Sequence, residues 1–356
     1  MKDETVKEVY PGIFQLRIPI PKSRLNHTLS YLIVGSDEHI LIDTGIYSEQ
    51  GLEAFKEQIN QIGIQPDSID TILITHNHPD HYGLAPNVKE MTSGLVAMHE
   101  VDWDQAPWRN MGNSKKKSDR DPLEFMKKWY QLHGVPEAEL KGPFFPGMDS
   151  DSKNRKGSRK SAEARWDPSS LPKPDLLLKG TEVFDVGRFS VKTIWTPGHT
   201  PGHICFYEES AKVIFTGDHI LPKITPNVSV RNSKRSDPLA DYIDSVNKLK
   251  NLDVDWVFPA HEYEFTDLEK RLDDLLEHHE SRVQEIVDAV QSEPHSAYQV
   301  ASNVGWNVGD WKDMDKFLRR SATGETLSHL EYLKNKKRLS SVKDSDGIVR
   351  WFYSNT

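Results

Sequence analysis

Three histidines and an aspartate follow one short apolar run, and their types and spacing suit metal chemistry. The run is a strand-like Ile72-Leu73-Ile74, and the residues after it are Thr75-His76-Asn77-His78-Pro79-Asp80-His81. Neutral imidazole nitrogens and carboxylate oxygens are the ligands that a divalent ion such as zinc prefers. Alternate residues of an extended segment share a face, so His76 and His78 can bind one ion together. Pro79 turns the chain, and Asp80 and His81 can then reach a second ion.

Three further ligand candidates stand where strand-like segments end. His199 lies in a tight loop between two Pro-Gly pairs, Asp218 follows Phe215-Thr216-Gly217, and His261 follows Phe258-Pro259-Ala260. Rigid strand ends that point into one crevice are how α/β proteins build sites. A solvated, histidine-rich turn is the alternative for residues 76–81, and these additional ligands weigh against it.

The elements that must position these residues alternate between strand-like and helix-like patterns, which favours the α/β class. Apolar runs rich in Ile, Leu, Tyr and Val predict the strands, and apolar residues at helical spacing predict the helices. The predicted strands cover residues 9–20, 28–34, 39–45, 72–74, 94–99, 183–186, 189–196, 203–208, 212–215 and 255–258. The predicted helices cover residues 48–62, 80–89, 122–133, 238–249 and 267–290.

An insertion at about 104–175 interrupts this pattern and is partly irregular. Its stretch 147–170 is polar and carries six basic residues, Lys153, Arg155, Lys156, Arg159, Lys160 and Arg165. Charge runs usually form solvated surface loops. The alternative is a lid, or a clamp for an anionic substrate, because long loops in compact domains are often functional.

The chain beyond about residue 290 has a different character. Two helical segments, 297–304 and 325–337, precede two alternating segments, 338–342 and 347–353, around an Asp346-Gly347 turn. This order predicts a winged-helix-like domain at 291–356 after a catalytic domain at 1–290. Winged helices often bind DNA, but the second helix carries an acidic residue among its lysines, so a docking or dimerisation element is preferred.

Composition limits the classes of protein and of partner. The chain has 356 residues, enough for about two domains, and a net charge of −9, which argues weakly against a chain-wide nucleic-acid surface. Its single cysteine, Cys205, lies in an apolar strand pattern and is expected to be a buried small hydrophobe. No apolar run approaches the ~20 residues that cross a bilayer, and the first residues contain no apolar signal core. We expect a soluble cytoplasmic protein.

The order of these motifs resembles the metallo-β-lactamase superfamily of binuclear hydrolases over most of residues 9–275. The likeness rests on Asp43, the block His76-x-His78-x-Asp80-His81, His199, Asp218 and His261. It implies a four-layer αβ/βα sandwich with two metals at one edge, between two sheets. Residues 311–333 resemble the winged-helix region that some hydrolases of this superfamily carry.

The resemblance also implies a role for each motif residue. Asp218 would bridge two metals, and Asp43 would orient a ligand by hydrogen bonding. His203 falls outside the ligand pattern and is expected either to be structural or to support a metal ligand. The first metal would be bound by His76, His78 and His199, and the second by Asp80, His81 and His261. Weaker candidates, for substrate contacts, are His27, Lys223 and His133.

Departures from individual branches of the superfamily narrow the function. With an aspartate at position 218, the chain is similar to glyoxalase II, lactonases and RNase Z rather than to true β-lactamases. The histidine at position 78 disfavours the flavin-linked diiron oxidases. Two divalent ions, zinc with iron or manganese as alternatives, can share a water whose hydroxide is the nucleophile, and Asp80 can relay a proton.

The leading hypothesis for the reaction is hydrolysis of a small ester-like substrate, a thioester or a lactone. A phosphodiesterase or ribonuclease acting on nucleic acid is the alternative, followed by an iron-dependent sulfur dioxygenase. A homodimer through the C-terminal segment stays open.

Overall fold

The computed structural model describes residues 6–21, 23–92, 94–106, 122–142, 171–230, 237–291 and 293–354. The predicted basic stretch 147–170 lies outside them. The chain forms two compact units. The first comprises Met1–Gly112, Gly157–Pro226 and Lys248–Arg271, and the second comprises Asn113–Lys156, Asn227–Asn247 and Leu272–Thr356. The domain boundary at residue 290 stays a prediction.

A seven-stranded sheet, ordered as its strands occur in the chain, forms one layer of the first unit. Strands β1 to β4 pair antiparallel, and β4 to β7 pair parallel. The strands are β1 (Val6–Tyr10), β2 (Ile13–Pro19), β3 (His27–Val34), β4 (His39–Ile42), β5 (Ile69–Leu73), β6 (Leu95–His99) and β7 (Leu176–Leu178).

A five-stranded sheet forms the second layer, in the order β12-β11-β10-β9-β8. Its strands pair antiparallel, except that β11 and β12 are parallel. They are β8 (Val183–Val186), β9 (Phe189–Trp195), β10 (Ile204–Glu208), β11 (Val213–Gly217) and β12 (Trp256–Pro259).

Strand β4 of the first sheet is buried on both faces, which explains its continuous apolar run. Successive side chains point to opposite faces, so Ile40 and Ile42 join the core between the two sheets, whereas Leu41 joins the core beneath the helices. The helices of this unit are α1 (Glu49–Ile62), α2 (Pro79–Tyr82), α3 (Ala85–Met91) and α4 (Glu100–Gln105). This arrangement of two sheets with flanking helices confirms the predicted α/β metallo-β-lactamase architecture.

The second unit is mainly helical and carries a small sheet at its C-terminal end. This sheet has three strands in the order β13-β15-β14. The remaining helices are α5 (Pro122–Leu132), α6 (Pro238–Leu249), α7 (Leu268–Ala289), α8 (Ala297–Asn303) and α9 (Lys316–Asn335), and the strands are β13 (His295–Ser296), β14 (Leu339–Lys343) and β15 (Val349–Tyr353). No helix in the described ranges is both long and apolar enough to span a membrane.

A buried polar cluster lies on α9 in this unit. The Glu325 carboxylate accepts a hydrogen bond from the Asn227 amide at 3.2 Å, and His329 Nδ1 donates to the Glu325 carbonyl at 2.9 Å. Burial raises the pKa of Glu325 to about 7, and the nearby Arg282 guanidinium opposes the shift.

Several element boundaries differ from the sequence expectations. The expected single strand over 9–20 is a hairpin of β1 and β2, because Gly12 (φ 82°) turns the chain in the left-handed region. The expected helix over 80–89 is two short helices, α2 and α3. The expected helix over 325–337 begins earlier, at Lys316, where the Asp315 side chain caps it.

Candidate metal centre

The structure brings the predicted ligands together in two groups at one edge of the first unit's sheets. The first group is His76, His78, His199 and Asp218, and the second is Asp80, His81 and His261. Within each group the ligand atoms lie within 4.8 Å of one another. Each group is therefore suited to a divalent cation by the chemistry of its donors.

Asp218 faces both groups with different oxygens. Its Oδ2 lies 3.5 Å from His199 Nε2 and 3.9 Å from His76 Nε2. Its Oδ1 lies 3.2 Å from His261 Nε2 and 3.4 Å from His81 Nε2. One carboxylate can therefore serve two cation sites at once.

Three histidine nitrogens converge in the first group. His78 Nδ1 lies 2.8 Å from His76 Nε2 and 3.0 Å from His199 Nε2. His76 and His199 are buried in the folded protein. The three rings thus present nitrogens from two loops to a common point.

Three buried polar atoms, two in the second group and one on the Asp218 carboxylate that faces it, test whether a cation fits. In the described part of the chain, His81 Nε2, His261 Nε2 and Asp218 Oδ1 are buried and have no hydrogen-bond partner. Leaving a buried polar atom unsatisfied costs about 1–3 kcal/mol. These three atoms lie close together, and a shared divalent cation would satisfy all of them, so the residues present fit a metal.

Hydrogen bonds on the far side of each ring fix which nitrogen is available. His81 Nδ1 lies 2.7 Å from Asp43 Oδ2, and His76 Nδ1 lies 3.0 Å from Thr75 Oγ1. Thr75 Oγ1 donates to Asp43, so it accepts from His76. His261 Nδ1 donates to the His27 carbonyl at 3.2 Å. Because Nδ1 is engaged on the far side, Nε2 is the nitrogen that each of these rings turns toward the ligand group.

The local backbone explains why these side chains meet. Gly217 precedes Asp218 with φ 50°, and a Cβ there would lie 2.8 Å from His203 Nε2 and 2.9 Å from the Thr75 Cβ. Glycine therefore lets β11 approach the histidine-bearing loops closely. From β3 of the other sheet, the Tyr31 hydroxyl donates to the Pro259 carbonyl at the end of β12 at 2.7 Å and fixes the turn that leads to His261.

Burial and charge shift the pKa values of the ligands in opposite directions. Burial and the neighbouring imidazoles hold the pKa of His76 well below its usual value. Burial also acts to lower the pKa of His261, but Asp218 and Asp80 outweigh it and raise the pKa to about 10. The carboxylates likewise outweigh burial at His81 and hold its pKa well above the usual range. The second group therefore binds protons in the metal-free protein, and a bound cation would displace them.

His203 lies beside the ligands but outside both groups. Its ring stacks on that of His76 with centroids 5.2 Å apart, and its Nδ1 lies 3.0 Å from Thr196 Oγ1. The role expected for His203 from the sequence stays a prediction.

Two of the weaker candidates lie in the first unit. His27 supplies the carbonyl that holds His261. Lys223 lies on the loop after Asp218, its backbone N–H donates to Glu262 at 2.9 Å, and its Nζ stands 5.5 Å from the centre of the Tyr263 ring. Their contact with substrate stays a prediction.

The third weaker candidate, His133, lies in the second unit. Its ring contacts Trp129 with centroids 4.8 Å apart, and its carbonyl accepts a hydrogen bond from Tyr298. Burial lowers the pKa of His133 to about 4. Its role in substrate binding likewise stays a prediction.

Two residues of the site carried no signal in the sequence. Thr75 joins Asp43 to His76, and Asp102 accepts hydrogen bonds from both histidine-bearing loops of the first group. Each acts through contacts that no local pattern announces. Only the position of Thr75, directly before the histidine block, could have drawn attention to it.

The family model of the metallo-beta-lactamase superfamily matches residues 24–261. This range holds every member of both ligand groups and more than half of the chain. The chain therefore belongs to the metallo-beta-lactamase superfamily, as the order of its motifs predicts.

Relatives extend the similarity over nearly the whole chain. The probable metallo-hydrolase YqjP of Bacillus subtilis is 25% identical over 340 residues, which cover 94% of this chain and 96% of that protein. The crystal structure of the metallo-beta-lactamase family protein TTHA1429 from Thermus thermophilus has a TM-score of 0.76 and 26% identity, and the match covers 98% of this chain and 100% of that one. A beta-lactamase domain protein from Burkholderia ambifaria shares the fold, with a TM-score of 0.73, 24% identity and coverage of 98% and 94%.

Proposed function

We propose that this protein is a binuclear metal-dependent hydrolase of a small ester-like substrate, a thioester or a lactone. The observation that carries the proposal is the position of the Asp218 carboxylate, whose two oxygens face separate groups of histidines. An aspartate in this position favours the branch of the superfamily that resembles glyoxalase II and the lactonases.

The ligand groups have the charge and composition that binuclear hydrolysis needs. The two groups would hold two divalent ions, zinc in the first instance, which would supply polarisation of a scissile carbonyl and a lowered pKa of a water. Asp43, Thr75 and the His27 carbonyl hold the imidazoles in the tautomer that can ligate. The protein thus supplies the orientation that the chemistry requires.

Asp80 is placed to handle the proton of the attacking water. Its Oδ2 lies 3.4 Å from His261 Nε2, and its side chain is 23% exposed. Burial acts to raise the pKa of Asp80, but His81 and His261 outweigh it and lower the pKa. An ionised carboxylate between the buried group and solvent can accept a proton and pass it to water.

We infer that Lys223, on the loop after Asp218, supplies a cation for an acidic part of the substrate. The loop that carries it is fixed by Glu262, which accepts hydrogen bonds from the Lys223 and Ile224 backbone, and by Arg271, which donates to the Ile224 carbonyl at 2.9 Å. A fixed backbone lets a flexible lysine act at a defined place.

The test is a comparison of initial rates for the zinc-loaded protein on a matched panel. The panel holds an acyl-glutathione, an acyl-CoA, an acyl-homoserine lactone and an aryl phosphodiester. Turnover of one carbonyl substrate is expected, and His78→Ala should lower kcat/KM by roughly 10³-fold, equivalent to about 4 kcal/mol of transition-state stabilisation. Lys223→Ala should mainly raise KM, whereas Lys179→Ala, at an exposed lysine, should change neither constant.

Two results would contradict the proposal. One is turnover of the phosphodiester alone, which would favour the phosphodiesterase alternative. The other is a protein that holds two ions but hydrolyses none of the carbonyl substrates. Replacing zinc by iron and measuring oxygen consumption with a persulfide substrate would separate the dioxygenase alternative.

A further inference from the structure

Asp102 on α4 is a fully buried carboxylate that belongs to neither ligand group. Its Oδ2 accepts hydrogen bonds from the Asn77 backbone N–H at 3.0 Å and from Thr200 Oγ1 at 2.8 Å. Its Oδ1 accepts one from the Gly202 backbone N–H at 2.6 Å. One side chain therefore binds two separate loops.

These two loops carry the three histidines of the first group. Asn77 lies between His76 and His78, and Thr200 follows His199 directly. The Asn77 amide also donates to the Asp102 carbonyl at 2.8 Å, which holds the helix itself against the first loop. The relative position of the three histidines thus depends on Asp102.

The approach of the second loop to α4 is close enough to exclude a side chain. A Cβ at Gly202 would lie 2.5 Å from the Asp102 backbone nitrogen and 2.8 Å from its Oδ1. Glycine here allows the loop backbone to reach the carboxylate. The glycine at position 202 is therefore a second, independent observation that the loop and α4 are in close contact.

We propose that Asp102 is the positioning residue of the first metal site, which it aligns by joining the loops of His76, His78 and His199. The inference rests on the proposed metal-dependent function. Asp102 touches neither substrate nor metal in this role. It sets the distance between ligands that come from sequence positions far apart.

The chemistry at this position requires a carboxylate rather than an amide. The Asn77 and Gly202 backbone N–H groups and the Thr200 hydroxyl all donate to the two Asp102 oxygens. Asparagine offers one oxygen and one NH₂ group, so Asp102→Asn places an N–H against at least one donor. The variant keeps the shape of the side chain and breaks the link between the loops.

Zinc affinity of the full chain tests the proposal without using activity. Competition with a chromogenic chelator measures binding in two backgrounds, His261→Ala, which keeps the histidines of the first group, and His78→Ala, which keeps those of the second. Asp102→Asn should weaken zinc binding ~10–100-fold in the His261→Ala background and leave it unchanged in the His78→Ala background. Asp104→Asn, at an exposed carboxylate on the same helix, should change neither.

Equal weakening in both backgrounds, or no weakening in either, would overturn the proposal. If circular dichroism shows that Asp102→Asn does not fold, Thr200→Val serves in its place. That variant removes one of the hydrogen bonds, and a smaller loss confined to the His261→Ala background is expected. Wild-type protein that binds no zinc would overturn the proposed function and this inference with it, whereas normal wild-type binding with an unaffected Asp102→Asn overturns the inference alone.

Discussion

Nδ1 of His81 lies 2.7 Å from Oδ2 of Asp43, and this contact determines which face of the imidazole is free. Asp43 stands directly after β4 with φ 57°, in the left-handed region that aspartate tolerates better than most residues. Its other oxygen accepts the Thr75 backbone N–H at 2.8 Å. The carboxylate is thus locked in place before it orients the ring.

Asp43→Asn should weaken metal binding at the second group ~10–100-fold, because the introduced NH₂ favours the wrong tautomer of His81. Competitive zinc titration in the His78→Ala background measures the effect. Asp37→Asn, at an exposed carboxylate before β4, is the matched control. Unchanged affinity in Asp43→Asn would show that the hydrogen bond does not set the tautomer.

Metal binding to the second group should release protons at neutral pH. The carboxylates raise the pKa of His261 to about 10, above the usual 6.5, so its ring is protonated in the metal-free protein at pH 7. Zinc titration calorimetry in two buffers of different ionisation enthalpy counts the protons released. Release should fall clearly in His261→Ala, and equal release in the two proteins would assign the protons elsewhere.

The same shift predicts the pH dependence of stability without metal. A raised histidine pKa contributes stability that is complete below about pH 6.5 and is lost as pH rises toward 10. The Tm of the metal-free protein should therefore fall across that window, and more steeply in wild type than in His261→Ala. A parallel course of the two curves would contradict the assignment.

Glu325 makes the second unit sensitive to pH with a defined sign. Burial raises its pKa from 4.5 to about 7, so its contribution to stability is present below pH 4.5 and is lost as pH rises through 7. Glu325→Gln removes that loss. The free energy of unfolding of the variant relative to wild type should therefore be higher at pH 8 than at pH 5, by up to roughly 3 kcal/mol. Urea unfolding followed by circular dichroism measures the difference.

Glu280→Gln, at an exposed position of α7, is the control for this experiment. His329 and His279 also titrate abnormally, because burial lowers the pKa of both. Their contributions cancel when Glu325→Gln is compared with wild type at each pH. If the stability of Glu325→Gln followed that of wild type at all pH values, Glu325 would be ionised in the folded state as it is in the unfolded state. That result would contradict the raised pKa.

Cys205 should resist thiol reagents in the folded protein. The side chain is buried, and burial raises the pKa of the thiol to about 12, which leaves very little thiolate at pH 8. Reaction with an aromatic disulfide should be slow in buffer and should consume one equivalent in denaturant. Rapid labelling of the native protein would contradict the buried interpretation.

The ligand groups could be predicted because their signals are local. Each ligand follows an apolar run, and the block from His76 to His81 concentrates several metal-binding side chains in a few positions. The α/β class could be predicted for a similar reason, since β4 is buried on both faces and its residues Ile40, Leu41 and Ile42 form a continuous apolar run.

What the sequence could not predict depends on contacts between distant positions. Asp102 acts on Thr200 and Gly202 from 98 and 100 positions away, and nothing near Asp102 marks it. The early start of α9 escaped prediction because its middle is buried yet polar, with Arg320, Thr323 and Glu325 enclosed. A helix of this kind lacks the apolar stripe from which helices are recognised.

The join between β3 and the turn after β12 has a consequence for biosynthesis. The Leu29 N–H donates to the Ala260 carbonyl at 2.7 Å, and the His27 carbonyl receives His261 Nδ1 from 234 positions along the chain. Until the ribosome has synthesised β12 and the turn after it, the Leu29 N–H and the His27 carbonyl of β3 lack these partners. Contacts so distant in sequence slow folding. The second ligand group can therefore assemble only after residue 261 has been synthesised and the two sheets have packed together.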